Sequence, residues 1–171
     1  MTAIPELVTE RLRLRAPRET DLETYIRFYG DTEASAFYGG PLTPNQAWSR
    51  LARDVGHWVL RGYGLWFVER LDDGAPVGGC GLYWPLGWPR SELTWWVLPE
   101  QRRRGFAAEA SCAAIAWGYD TLGWDRIETH CDDANEPARS LIGALGGTKF
   151  AREVFPDGKE RDVFEFPRPQ A

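Results

Sequence analysis

The chain has 171 residues, 43% of them apolar, which suits one domain with a sizeable core. Its formal net charge is −5 at pH 7 and no extended basic region is present, so the sequence predicts no nucleic-acid partner. The three cysteines are odd in number and lack Cys-x-x-Cys spacing, which argues against a disulfide framework or a metal site. No signal peptide or apolar run of bilayer length is evident, and we therefore expect a cytoplasmic protein with no membrane partner.

The first half of the chain is predicted to form a strand, two helices and a hairpin. These elements, in chain order, are a strand over 7–15, a helix beginning near 20, a helix from 44 that stops at 62, and strands over 65–71 and 77–83. Thr20 or Asp21 is expected to cap the first helix. Thr43 and Pro44 are typical of a helix start, and Gly62 is typical of a helix end.

The second half alternates strands and helices. Its predicted elements are a strand over 92–97, a helix over 106–122, a strand over 126–131, a helix over 137–145, and strands over 148–154 and 161–166. The strands over 92–97 and 126–131 flank a crossover helix, so we expect them to be parallel neighbours. The sequence thus predicts a single α+β domain over 1–171, with a mixed, mostly antiparallel sheet flanked by helices and a loose tail at 167–171.

The segment after the strand over 92–97 has the features of an anion-binding loop. It contains Arg102, Arg103 and Arg104, then Gly105, and opens into an Ala-rich helix. Such a helix start offers free backbone N–H groups and the positive end of the helix dipole, and small residues let a phosphate approach. The spacing matches neither the phosphate-binding loop of NTPases nor the dinucleotide-binding Gly-x-Gly-x-x-Gly. A solvated, arginine-rich turn is the alternative interpretation.

Three segments carry a resemblance to a known family. They are Thr9-Glu10-Arg11-Leu12-Arg13-Leu14-Arg15 with Asp21, then Trp95-Trp96-Val97-Leu98-Pro99-Glu100 followed by Arg102-x-x-Gly105-x-Ala107-x-Glu109-Ala110, and finally Asn135-Glu136-Pro137-Ala138 with Leu141, Leu145 and Gly146. On these segments the chain resembles the GNAT superfamily of acyl-CoA-dependent N-acyltransferases, and within it the Rim-type branch of ribosomal-protein alanine acetyltransferases. The resemblance implies a GNAT-like fold in which the fourth and fifth strands are parallel and splayed.

The resemblance also implies an activity. The donor would be acetyl-CoA as a cosubstrate, with no metal, and the acceptor would be a primary amine that attacks directly. A protein N-terminus and a small-molecule amine both stay open as acceptors, and a homodimer stays open as well. Relatives often have Ser or Tyr as a general acid where this chain has Ala138 and Ile142, so water is the expected proton source. Because of this departure, a catalytically inactive CoA-binding sensor or interaction module is the alternative function.

The resemblance assigns the cofactor contacts residue by residue. It places the pyrophosphate on the backbone N–H groups of residues 103–107, and it gives Val97 a catalytic N–H that reaches the thioester carbonyl. Asn135 would contact the pantetheine, or it would simply cap the helix that follows it. The cofactor-binding residues expected on this basis are Val97, Leu98, Arg102, Arg103, Arg104, Gly105, Phe106, Ala107, Asn135 and Arg139.

The acceptor amine is mostly protonated at pH 7, so a base is needed before attack. Glu92, at the start of the strand that carries Val97, is the first choice for a catalytic base. A surface strand residue paired with an arginine is the alternative interpretation of Glu92. Glu69 and Glu128 could each act through a water chain, and His130 is either a base or a half-buried, hydrogen-bonded histidine.

The nine tryptophans are predicted to divide into two groups. Trp48, Trp58 and Trp117 fall on apolar helical stripes and are expected in the core. Trp84, Trp88, Trp95 and Trp96 lie where an acceptor should enter, and they are expected either to wall its pocket or to form core and a hydrophobic lid.

Overall fold

The computed structural model describes residues 3–169 and contains eight strands and four α-helices. In chain order these are β1 (Leu7–Val8), β2 (Leu12–Arg15), α1 (Leu22–Gly30), α2 (Pro44–Arg61), β3 (Leu65–Arg70), β4 (Pro76–Tyr83), β5 (Glu92–Val97), α3 (Phe106–Asp120), β6 (Ile127–Cys131), α4 (Glu136–Ala144), β7 (Thr148–Val154) and β8 (Glu160–Phe166). The predicted α+β class is confirmed. The expected loose tail at 167–171 extends past the described residues and stays a prediction; in its described part, Arg168 pairs with Asp120 at the surface.

The strands form two antiparallel sheets, with the order β1-β2-β3-β4-β5 in one and β6-β8-β7 in the other. The sheets meet where β5 lies beside β6. The Thr129 hydroxyl on β6 donates to the Leu93 carbonyl on β5 at 2.8 Å, but no strand ladder joins the two strands within residues 3–169. The single mixed sheet of the prediction is therefore split at this pair, as expected for splayed strands.

The predicted strand over 7–15 is wrong as one element, because it is a hairpin of β1 and β2. The turn is fixed from a distance by Glu109 on α3. Its carboxylate accepts the Thr9 hydroxyl at 2.6 Å and the Arg11 backbone N–H at 2.8 Å. The sequence analysis missed this turn because it used the local alternation of apolar and basic residues. That alternation carries no information about Glu109, which lies about a hundred residues away.

Helix α2 begins and ends as predicted, but one of its tryptophans does not lie where the pattern placed it. Thr43 caps the helix through the Gln46 N–H at 3.3 Å, and Gly62 closes it with a left-handed φ of 76°. Trp48 is 49% exposed, so its expected place in the core is wrong. The buried stripe of α2 includes the polar residue Asp54, and a hydrophobic pattern cannot register such a stripe.

The core lies on both faces of the larger sheet. Trp66 and Val68 point into a cluster with α3, whereas Leu65 and Phe67 point into a cluster with α1. The second cluster is rich in aromatic rings and includes Trp96 of β5. This packing fixes the two ends of β5 relative to the helices. No helix of the described chain is long and apolar enough to cross a membrane.

Candidate active site

A pocket of ≈ 290 Å³ opens where β5 and β6 separate. Its walls come from β5, β6, α2 and the segments around them. Glu92 and Trp95 line it from β5, and His130 lines it from β6. The splay therefore produces a cavity that carries titratable side chains, the kind of place where ligands bind.

The strand register directs the N–H of Val97 toward this gap. Val97 pairs with Gly78 of β4, and the next residue, Leu98, donates its N–H to Val77 at 2.9 Å. Backbone groups of successive residues in an antiparallel strand point in opposite directions. The N–H and C=O of Val97 consequently point away from β4, whereas the N–H of Leu98 is occupied.

The outward carbonyls of β5 are satisfied by side chains instead of by a strand. Besides Thr129 on Leu93, the Tyr38 hydroxyl donates to the Trp95 carbonyl at 2.7 Å, and Arg102 Nε donates to the Val97 carbonyl at 3.2 Å. These three contacts allow β5 to stand apart from β6 without leaving buried acceptors unpaired. The gap is thus a stable feature of the fold.

Glu92 and His130 meet across the gap. The Glu92 carboxylate contacts Nε2 of His130, and the two side chains are only 13% and 12% exposed. Trp88 Nε1 lies 3.2 Å from the same nitrogen, and the His130 ring packs on Phe155 with the ring centroids 4.2 Å apart. Nε2 cannot serve both contacts, because the Trp88 indole N–H only donates and a carboxylate accepts; with the proton on Nε2, the Glu92 contact is the hydrogen bond and the Trp88 contact is not. Histidine thereby orients the carboxylate in the pocket wall.

The other two carboxylates considered as bases lie elsewhere. Glu69 pairs with Arg15 at 2.8 Å, and Glu128 pairs with Arg90 at 2.8 Å. Neither is among the residues that line the pocket. The fold thus brings Glu92 and His130 together in the pocket and keeps Glu69 and Glu128 in ion pairs outside it.

The loop before α3 has the geometry of an anion cradle. Arg103 has a φ of 57° and Gly105 has a φ of 79°, so the chain turns through the left-handed region twice before the helix begins. The backbone N–H groups of residues 103–107 have no partner among the hydrogen bonds of residues 3–169. Consecutive free N–H groups at the start of a helix are what a phosphate requires.

Two of the three arginines of this loop brace it. Arg102 holds the Val97 carbonyl, and Arg104 donates to the Gln101 side chain at 2.9 Å. Arg11 adds a further contact by donating to the Arg104 carbonyl at 2.9 Å. A turn held at this many points is more ordered than the solvated turn considered as the alternative.

The remaining expected cofactor residues have mixed surroundings. Phe106 is buried beneath the guanidinium groups of Arg11 and Arg104, at 4.8 and 5.0 Å from its ring centroid. Asn135 lines the pocket and also caps α4, where its side chain accepts the Ala138 N–H at 3.2 Å. Arg139 pairs with Asp133 at 2.8 Å and with Asp162 at 3.2 Å.

Neither position expected to carry a general acid supplies a hydroxyl. Ala138 lines the pocket, and Ile142 is buried in the core. Cys80 is also unsuited to chemistry, because burial raises the pKa of its thiol to about 12. Tyr83 does carry a hydroxyl in the pocket wall, and burial raises its pKa to about 12, so it stays protonated at neutral pH.

The tryptophans near the gap divide between wall and core. Trp88 and Trp95 line the pocket, and Trp96 forms its floor while packing against Tyr25 and Phe28. Trp84 is exposed and donates its indole N–H to the Trp88 carbonyl at 2.8 Å. Trp88 and Trp95 thus lie at the pocket and Trp96 belongs to the core, while a role of these residues toward an acceptor stays a prediction.

Sequence reasoning missed the polar residues that α2 contributes. Arg50, Arg53 and Asp54 line the pocket, and Asp54 accepts the Tyr25 hydroxyl at 2.9 Å. Burial raises the pKa of Asp54 to about 6. Charged residues at positions 50, 53 and 54 share one side of the helix, whose buried residues include the polar His57, so a hydrophobic pattern gives no signal for this side.

Comparison with known proteins gives concordant results. The family described as Acetyltransferase (GNAT) domain matches residues 11–148. The uncharacterized N-acetyltransferase YoaA of Bacillus subtilis (strain 168) is 27% identical over 148 residues, covering 85% of this chain and 84% of the relative. An acetyltransferase structure from Agrobacterium tumefaciens str. C58 superposes with a TM-score of 0.88 at 26% identity, covering 98% and 96% of the two chains. The ribosomal-protein-S5-alanine acetyltransferase of Vibrio fischeri shares the fold, with a TM-score of 0.68 at 13% identity over 94% and 95% of the two chains.

Proposed function

The chain belongs to the GNAT acetyltransferase family, and on that premise we propose that a primary amine attacks acetyl-CoA directly in the β5–β6 pocket, with Glu92 as the base. Family membership makes the protein an enzyme that transfers an acetyl group from acetyl-CoA. The proposal adds the acceptor chemistry and the residues. The observation that carries it is the carboxylate of Glu92, held by His130 in the wall of the pocket.

The loop before α3 is proposed to hold the pyrophosphate of the donor. Its support is the run of free N–H groups at residues 103–107 and the left-handed turn at Gly105. Bound acetyl-CoA supplies an electrophilic acyl carbon and a thiolate leaving group. Val97 would donate its outward N–H to the acyl oxygen, where negative charge develops during attack. Asn135 is proposed to contact the donor from α4 while it caps that helix, whereas Arg139 is proposed to serve its ion pairs.

Glu92 would take a proton from the incoming ammonium group. An α-amine has a pKa near about 8 and a lysine-like amine near about 10, so most of the acceptor is protonated at pH 7. His130 Nε2–H would hold the carboxylate in one orientation, which keeps its second oxygen free for the amine. The amine nitrogen then forms its bond to the acyl carbon and gives up its second proton to water, while the bond from that carbon to sulfur breaks. The thiolate would take its proton from water, since residues 138 and 142 offer no hydroxyl.

The Rim-type branch remains a prediction. The ribosomal-protein acetyltransferase structures that resemble this chain are 13% and 20% identical to it, which supports the shared fold alone. A protein N-terminus and a small-molecule amine are therefore both proposed acceptor classes at this stage.

The direct test is an acceptor screen with product identification. Purified protein and acetyl-CoA would be incubated with primary amines of both classes, and thiol release would be measured beside mass spectrometry of the acceptor. We expect thiol release only with some amines, together with a gain of one acetyl group on the amine. Thiol release at the same rate without any amine, or an acetyl group found on an oxygen or on the protein itself, would contradict the proposed reaction.

A further inference from the structure

The α2 wall of the pocket carries two arginines that lack a carboxylate partner. Arg50 donates to the Tyr38 carbonyl at 3.1 Å, and Arg53 lies over the Tyr83 ring, 5.5 Å from its centroid. Both line the pocket. They are three residues apart on one helix, so their side chains share a face.

Among the described residues, Arg50 and Arg53 belong to the smaller group of arginines that lack a carboxylate partner. The arginines of residues 3–169 that form no ion pair with a carboxylate are Arg18, Arg50, Arg53, Arg61, Arg102, Arg103 and Arg104. Three of these belong to the loop proposed to hold a pyrophosphate. Arg50 and Arg53 are the second group of such arginines close together in sequence, and both line the pocket, Arg50 half-buried and Arg53 exposed.

Two buried polar groups from β4 and β5 that line the same pocket also have no partner. The Tyr83 hydroxyl and the Trp96 indole N–H make no hydrogen bond in the described structure, although the two residues are only 6% and 1% exposed. An indole N–H and a guanidinium can only donate. A buried donor without an acceptor costs free energy, so the Trp96 N–H calls for an acceptor that the described chain does not supply.

Asp54 is the carboxylate that α2 itself contributes to the pocket lining, and it does not supply the missing acceptor. It accepts the Tyr25 hydroxyl at 2.9 Å on the inner side of α2 and is only 2% exposed. Arg50 and Arg53 act on it through their charges without forming an ion pair. The two guanidinium charges outnumber this single carboxylate, so the α2 wall stays positive.

From this arrangement we propose that Arg50, Arg53, Tyr83 and Trp96 form a subsite for a carboxylate, and that the acceptor is a small amine that carries one. The inference rests on the proposed function for the place of the amine, beside Glu92. The pocket then has a negative wall at β5 and a positive wall at α2. A free amino acid matches both walls, whereas the N-terminus of a protein presents a neutral peptide carbonyl at the corresponding position.

The first test compares amino acids with their primary amides as acceptors. Each pair differs in the carboxylate alone at the relevant position, and the ratio of kcat/KM between the two members is measured for the wild type and for Arg50→Gln, Arg53→Gln and Tyr83→Phe. We expect KM for the acid to rise about tenfold in each arginine variant, with kcat and the amide kinetics little changed. The acid-to-amide ratio of each variant is compared with the same ratio of the wild type, so the different basicity of the two amines cancels. Arg61→Gln, also on α2 and without an ion pair, is the matched control because it does not line the pocket.

A binding measurement keeps the subsite testable apart from catalysis. Propionate, which has no amine, would be titrated while the indole N–H signal of Trp96 is followed by NMR; methylphosphonate and propionamide serve as comparison ligands. We expect propionate to shift this signal, Arg50→Gln to weaken the effect, and propionamide to have none. Propionate binding without acetyl transfer to any amine would uphold the subsite and reject the proposed function. Transfer with equal preference for acids and amides, or a propionate response unchanged in both arginine variants, would overturn the subsite; a stronger response to methylphosphonate would overturn the assignment to a carboxylate.

Discussion

The two ends of the candidate site are built from different parts of the chain. The loop before α3 presents backbone N–H groups, and its side chains mostly brace the loop itself. The walls at β5 and α2 present side chains, with Glu92 and His130 on one side and Arg50 and Arg53 on the other. The backbone of β5 contributes the N–H of Val97 between them.

This difference predicts which substitutions each end can accept. A backbone site depends on φ and ψ, so it should tolerate the loss of a side chain and be sensitive at a residue with positive φ. A side-chain site should respond to the loss of a single charge. The distinction is wrong if CoA binding by the loop depends strongly on its arginine side chains, or if the loss of a charged side chain from the walls leaves the activity unchanged.

The largest effect is expected for Glu92→Gln, which keeps size and removes the carboxylate. If Glu92 is the base, the maximal rate should fall by about 10²-fold or more while CoA affinity is kept. Part of the loss should be recovered at high pH, where more of the amine is free. Steady-state kinetics across pH, with calorimetry for CoA, gives both values.

Glu128→Gln is the control for Glu92→Gln. Glu128 lies on the neighbouring strand and pairs with Arg90 at 2.8 Å outside the pocket, so its loss should leave the maximal rate nearly level. A higher KM for the amine without a slower maximal rate in Glu92→Gln would show that Glu92 only attracts the ammonium group. Unchanged values of both constants would remove Glu92 from the site.

The next effect concerns stability and the α2 wall. Burial raises the pKa of Asp54 from 3.8 to about 6, so the folded protein binds more protons than the unfolded chain between these values. Stability is therefore lost as pH rises from about 4 to 6, and the loss persists above 6. Asp54→Asn keeps an acceptor for Tyr25 and should raise the free energy of unfolding at pH 8 by up to about 3 kcal/mol, with no gain at pH 4.

Urea denaturation at a series of pH values measures this difference. Asp157→Asn gives the opposite case, since a hydrogen bond from Arg161 lowers the pKa of Asp157 to about 2. Loss of the Asp157 carboxylate should lower the free energy of unfolding at pH 7, and the difference from the wild type should shrink only as pH falls below about 4. A constant difference between wild type and Asp54→Asn from pH 4 to 8 would show that Asp54 is not held protonated by burial.

A smaller effect is expected in the loop from Gly105→Ala. The φ of 79° at Gly105 disfavours any residue with a Cβ, at a cost of about 1–2 kcal/mol. The new Cβ would meet only the flexible end of Arg11, 3.2 Å away, so the effect should act through the backbone. CoA affinity measured by calorimetry should fall about tenfold.

Gly62→Ala provides the matched control. Gly62 has a φ of 76° at the end of α2 and no neighbouring atom within 4 Å of an added Cβ. It should lose similar stability and keep its CoA affinity. Equal CoA affinity in a folded Gly105→Ala protein and the wild type would place the pyrophosphate elsewhere.

The smallest effect is expected for Arg103→Ala. Arg103 is exposed and forms no ion pair in the described structure, so it should assist through charge alone. CoA affinity should weaken by about two- to threefold at low salt, and by less at high salt because exposed charges are screened. Binding that disappears with this one side chain would contradict a site centred on the backbone.

The sequence was most informative where the signal is local. The start of α2 at Thr43 and Pro44, its end at Gly62, and the strand over 92–97 all depend on residues within one or two turns of each other, and all were predicted. The left-handed loop into α3 was also visible as a glycine between a strand and an Ala-rich segment.

What the sequence did not reveal depends on distant partners. The contact between Glu92 and His130 joins strands from two sheets, and no spacing rule connects positions 92 and 130. The α2 wall was missed for another reason, because Asp54 is a charged residue on a buried face and an apolar pattern reads such a position as exposed. The β1–β2 hairpin was missed for the same reason as the contact between Glu92 and His130, because its turn is held by the distant residue Glu109.

That bond to Glu109 also orders events during folding. The Glu109 carboxylate holds the Arg11 N–H, while the Arg11 guanidinium holds the Arg104 carbonyl. The N-terminal hairpin leaves the ribosome first, yet its anchor is made about a hundred residues later, and contacts so far apart in sequence close slowly. The loop proposed to meet the donor therefore acquires its contact with Arg11 only after both segments have been synthesised and have come together, and a nascent chain that ends before α3 has a β1–β2 hairpin without its hydrogen bonds to Glu109.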